Sequence, residues 1–151
     1  MGAAVPRMHG LVHAKGGPDP IPGLGGELEV EDVGLPTAAL GGPHDLAVYS
    51  VPGPQTVANG SMRKYVEAAA EVTLVRAALG TAPAGSGLTV RVNVNGALRA
   101  TVTIPAGANT ATGAPSTTSL AAGDYLTFDV TAIGSTTPGS NLTVTVWGRY
   151  A

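Results

Sequence analysis

The run Leu88-Thr89-Val90-Arg91-Val92-Asn93-Val94 sets the strongest constraint on what this chain can fold into. In an extended chain successive side chains point to opposite faces, so Leu88, Val90, Val92 and Val94 share one face and Thr89, Arg91 and Asn93 the other. The run reads as a strand with one side in a core. Asn95-Gly96 follows at once, and then a second β-branched and polar run over residues 98–104. Asn and Gly both accept positive φ, so the pair predicts a type I′ hairpin.

The same period of two recurs to the end of the chain. Leu126, Phe128 and Val130 alternate with Thr127, Asp129 and Thr131 over residues 125–133, and Leu142, Val144 and Val146 alternate over residues 142–150. Residues 63–66 and 71–79 make the first strands of the series. Ala68-Ala69-Ala70 between them can continue extended, bulge, or form a helical turn, and Val72, Thr73 and Val75 favour extension. Residues 80–87, 105–109, 121–124 and 134–140 are rich in Gly, Pro, Ser and Asn and read as loops or turns. Residues 110–119, rich in Thr and broken by Pro115, read as an edge strand or a meandering loop. Short strands spaced by turns indicate an all-β domain, a jelly roll or β-sandwich, over residues 61–151.

Residues 1–60 read differently. Pro and Gly recur every few positions, as in Gly16-Gly17-Pro18-Asp19-Pro20-Ile21-Pro22-Gly23, so no helix of useful length fits. Short extended pieces are expected at residues 27–33 and 46–51. The aliphatic residues are too sparse to close a core of their own. This stretch is expected to be an extended arm that is either disordered or ordered by lying on another subunit or a larger assembly; its low charge and recurring Leu favour the second.

Composition narrows the function classes. A net charge of −2, with no basic run, argues against a nucleic-acid partner. There is no cysteine, hence no disulfide framework, thiolate metal site or Cys nucleophile. No apolar stretch approaches the ~20 residues needed to span a bilayer, so membrane insertion is not expected. The first residues lack the basic-then-apolar order of a signal peptide, and Pro6 spoils a myristoylation motif after Gly2, so synthesis in a cytoplasm is expected. With one Phe, one Trp and 12% charged residues, the core is modest and much of the surface is expected to be covered by other chains.

Five blocks in order resemble a C-terminal β-domain of structural proteins of tailed bacteriophages, found among minor tail, fibre and head-fibre proteins. They are Ala77-Ala78-Leu79-Gly80-Thr81-Ala82-Pro83-Ala84-Gly85-Ser86-Gly87-Leu88, Val92-Asn93-Val94-Asn95-Gly96, Ile104-Pro105-Ala106-Gly107-Ala108-Asn109-Thr110, Leu120-Ala121-Ala122-Gly123-Asp124-Tyr125-Leu126-Thr127-Phe128-Asp129-Val130, and residues 133–144. The resemblance spans about residues 57–151, and the stretch after Gly96 is shorter than the family pattern. A second resemblance lies in the arm. His9-Gly10-Leu11-Val12-His13-Ala14-Lys15-Gly16-Gly17-Pro18-Asp19-Pro20-Ile21 is similar to a His/Gly-Gly-x-Asp-Pro motif that precedes fibre or spike domains in phage virion proteins. The resemblance implies that His9, His13, Gly16, Gly17, Asp19, Pro20 and Ile21 sit where three chains meet or attach.

Little reaction chemistry is legible. His9 and His13, four apart, are a weak metal pair because Gly10 and Gly16-Gly17-Pro18 oppose a helix, although copies around a three-fold axis could converge on one ion. No cofactor is expected. Asp124, after Gly123, is expected to cap turn amides, and Asp129 to be a solvated or cross-strand partner rather than a general base. No Gly-Lys-Ser/Thr phosphate loop is present, and no enzyme is expected. Trp147 and Tyr150 stand close in sequence, while Tyr49, Tyr65 and Tyr125 stand elsewhere. The terminal pair could stack on sugars at a projecting tip, or Trp147 could pack at the end of the sandwich or across a subunit boundary.

Together these features lead to a reading as a non-enzymatic virion component: a minor tail or fibre protein, or a capsid decoration protein, docked on other virion proteins through its arm. A homotrimer is expected, since association would add the burial that a small core lacks. The alternative is a module that recognises a host cell-surface glycan.

Overall fold

The computed structural model describes residues 42–151, and Gly42–Ala151 is one compact unit. The motif residues His9, His13, Gly16, Gly17, Asp19, Pro20 and Ile21, and the extended piece expected at 27–33, lie outside the described residues. Among the described residues there are nine strands and no helix: β1 His44–Pro54, β2 Lys64–Tyr65, β3 Ala70–Thr81, β4 Leu88–Val94, β5 Ala97–Ile104, β6 Thr110–Gly113, β7 Ser119–Leu120, β8 Tyr125–Ala132 and β9 Ser140–Tyr150. They form two antiparallel sheets. The first has the order β1-β9-β3-β6, with β7 also pairing β3, and the second the order β2-β8-β4-β5.

The alternation that marks residues 88–94 does its expected work. Leu88, Val90, Val92 and Val94 are all buried, while Thr89 and Asn93 are half-buried and Arg91 is exposed on the other face. β4 is an interior strand, with Val90 opposite Val102 of β5 and Val130 of β8. The hairpin turn has φ of 51° at Asn95 and 82° at Gly96, the left-handed pair that a type I′ turn requires. Inward residues of this sheet share one apolar cluster with Val72, Val75, Ala77 and Leu79 of β3 and with Leu142, Val144 and Val146 of β9. Two sheets facing one core is the arrangement of a β-sandwich. Phe128 is the one aromatic residue in the buried core, and Tyr49 of β1 stacks on it across the gap, ring centroids 5.0 Å apart and 6° from parallel.

The first strand corrects the expected division of the chain. Residues 1–60 read as arm, yet His44–Pro54 is a full-length strand of the first sheet, paired with β9, and buries Leu46 and Ala47. The compact unit therefore begins at Gly42, not near residue 61. The extended piece expected at 46–51 is the middle of this strand, and Pro52, Gly53 and Pro54 are the reason its end reads as loop. They are tolerated because β1 is an edge strand, where a missing N–H faces no partner. Residues 55–60 also belong to the domain: Ala58 bridges Val130, and the Gly60 N–H donates to Asp129 Oδ1 at 2.9 Å.

Other departures are local. The strand expected over 63–66 is reduced to Lys64–Tyr65. Residues 110–119 resolve into β6 before Pro115 and β7 after it. Bulges interrupt both neighbours of β9 near Trp147, at Leu46 between Asp45 and Ala47 and at Thr73 between Val72 and Leu74. A bulge adds one residue to one strand and so shifts the parity of the residues beyond it. That is why Val72 and Val75, three apart, are both buried.

Between those bulges lies Gly148. A Cβ built there would strike the Glu71 carbonyl oxygen and the Leu46 side chain, and a carbonyl held in a sheet cannot rotate away. Gly148→Ala is expected to cost about 3 kcal/mol, the upper part of the overpacking range. Gly96→Asn is expected to cost under about 1 kcal/mol, because no atom lies near its Cβ and Asn accepts the left-handed region. Urea unfolding followed by tryptophan fluorescence measures both.

Candidate functional site

The polar side chains that cluster in this domain hold strands and turns together. Asp129 accepts from Asn93 Nδ2 at 2.7 Å as well as from Gly60, tying β8 to β4 and to the segment before β2. Asp124 accepts from the Ala121 N–H at 2.8 Å, the turn cap expected of it, and from Asn95 Nδ2 at 2.7 Å. Asn95 Oδ1 in turn accepts from the Tyr125 N–H, so the β4–β5 hairpin is fastened to the turn that opens β8. Near the C-terminal end of β9, Arg149 makes a two-armed contact with Glu71, Nη2 to Oε2 at 2.7 Å and Nε to Oε2 at 3.0 Å. Asn95 first, then the Ala121 amide, hold the Asp124 carboxyl below its ordinary pKa, and Arg149 does the same for Glu71. Among the described residues no group of three His, Asp or Glu side chains is placed to hold a metal ion.

The aromatic pair singled out in the sequence is not one surface. Val146 and Gly148 are buried, so Trp147 lies on the opposite, outer face of the first sheet, half-buried in a shallow depression with Pro43, Thr73, Leu74 and Arg76. The Thr73 bulge is what brings Leu74 level with Trp147. Tyr150 has the parity of Gly148 and stands at the strand end, its ring 6.0 Å from His44. It lines a different space, a groove of about 350 Å³ whose walls are residues 45–48 of β1 and residues 64–67 around β2.

A second aromatic group was not anticipated. Tyr65 of β2 pairs with Tyr125 of β8, ring centroids 5.9 Å apart, and the Arg63 guanidinium lies over the Tyr125 ring at 4.4 Å. The signal in the sequence was weak, because the two tyrosines are remote along the chain and only strand pairing unites them. The chain matches no protein-family model, no curated protein and no solved structure.

The two perturbed carboxyls predict the acid limb of stability. A carboxyl whose pKa falls on folding binds its proton more weakly in the native state, so its contribution is complete above the unfolded pKa and disappears as pH falls through the depressed native value. Thermal midpoints should fall below about pH 4, and the fall should be shallower in Asp124→Asn than in the parent chain. Glu71→Gln should flatten it less, since dissolved salt screens the charge pair with Arg149 but not the neutral N–H donors that hold Asp124. Melts across that pH range at constant salt check the order.

Proposed function

We propose that this protein is a non-enzymatic structural component of a tailed-phage particle, a jelly-roll head carried on an N-terminal arm and associated as a homotrimer. The strand order carries the reading. Successive strands β1 to β4 alternate between the sheets, β4 and β5 form a hairpin, and β6 to β9 return so that β9 lies between β1 and β3 and β8 between β2 and β4. Interleaving of first and last strands in both sheets is what a jelly roll's two Greek keys produce, a fold used in viral capsid proteins. The resemblance of residues 57–151 to phage tail, fibre and head-fibre β-domains points the same way, and the arm motif adds a docking role on other virion proteins.

The use of polar groups supports a structural role. Asp124, Asp129 and Glu71 are each engaged in fastening one strand or turn to another. In this reading the protein is made in the host cytoplasm and resides in the virion as a decoration, head-fibre or minor tail protein. The depression around Trp147 is the surface through which copies would meet, since exposed apolar area of this kind is ordinarily covered.

Native mass spectrometry of the full chain should give three times its 14.9 kDa mass. Trp147→Glu should shift the distribution to monomer while the far-ultraviolet spectrum stays that of a β protein. A monomer for the parent chain at micromolar concentration would overturn the trimer. Antibody labelling of purified particles that leaves both head and tail unmarked would overturn the virion assignment.

A further inference from the structure

The sandwich is closed along one side and open along the other. On the closed side the chain after β6 meets β5, with the Ser116 N–H donating to the Arg99 carbonyl at 2.7 Å. On the open side β1 and β2, the outermost strands of the two sheets, do not pair, and the groove of about 350 Å³ runs between them. That size is at the small end of ordinary ligand sites, about 300–1,000 Å³.

We propose that this groove is a binding site for a short neutral saccharide. Two tyrosines border it, Tyr65 and Tyr150, 50% and 51% exposed. Each is backed by a second ring, Tyr65 by Tyr125 and Tyr150 by His44. A ring held this way offers an apolar face to the C–H face of a sugar and a hydroxyl to its rim, with little freedom left to lose on binding. Asp45 and Glu67 accept from paired sugar hydroxyls, and Lys64 donates to them. The walls carry two carboxylates, Asp45 and Glu67, against one ammonium, Lys64. That small negative excess gives no attraction to a sulfated, phosphorylated or sialylated chain, so the ligand class is neutral.

An extended peptide added to either edge is the competing occupant, and the backbone disfavours it. The β1 wall carries the Leu46 bulge and β2 is only two residues long, so neither offers an evenly spaced ladder of free N–H and C=O groups. Saccharide binding here is a role separate from that of a particle component. A coat protein needs no such groove, and oligomeric mass and particle labelling test that role separately.

The test is an array of immobilised neutral oligosaccharides built on glucose, galactose, rhamnose and N-acetylglucosamine, with sialylated and sulfated ones beside them, probed with the full chain. Calorimetry on the best neutral binder comes next. Tyr65→Ala and Tyr150→Ala should each weaken binding by at least about tenfold. Leu98→Ala, exposed on the far β5 edge, should leave it unchanged. If an alanine variant melts early, Glu67→Gln reads the same groove without altering packing, and a weakening of about threefold or more is expected. Retention of no neutral sugar, preference for acidic ones, preference for a strand-forming peptide over any sugar, or equal loss in Leu98→Ala would each overturn the proposal.

Discussion

The domain depends on one dimension, the gap between its sheets, and on side chains that fill it without large rings. Facing sheets pack about 10 Å apart, a distance that interdigitating Val, Leu and Ile can close. Here those residues come from β3 and β9 on one side and from β4, β5 and β8 on the other. Fully burying each contributes about 1.5–3 kcal/mol, so the core is a sum of many similar small terms and no single residue dominates it. The Tyr49–Phe128 stack is the exception, placed where edge strand β1 needs an anchor to the opposite sheet.

A core of this kind asks for accuracy in the backbone. β9 runs through the middle of the first sheet, and where its neighbours bulge the chain approaches so closely that only a hydrogen fits at Gly148. The Thr73 bulge also shapes the surface above it, since it brings Leu74 alongside Trp147. Packing and surface chemistry at this end of the sheet have one cause.

The distribution of polar and aromatic groups gives the functional argument its shape. Carboxylates and amides inside the described domain are occupied with joining turns to strands, which accords with a part built to be a stable brick. Apart from that fastening, Tyr65, Tyr150, Lys64, Glu67 and Asp45 surround a groove at the open side, where two edge strands fail to meet. Polar and aromatic groups gathered along an open edge are suited to contact with another molecule.

The sequence by itself determined the strands whose hydrophobic period is unbroken. Leu88–Val94, the Asn95-Gly96 turn and the alternating stretches of β8 and β9 were legible because local chain geometry alone decides where their side chains point. The turn role of Asp124 was legible for the same reason. Tertiary structure decided what depends on a distant partner. β1 is a strand because β9 pairs with it despite Pro52 and Pro54. Tyr65 meets Tyr125 only through the pairing of β2 with β8, whereas Trp147 and Tyr150, three apart on β9, take opposite faces by alternation alone. Alternation tells which residues share a face, but which faces meet, and which edges stay open, is settled only when strands remote in sequence pair.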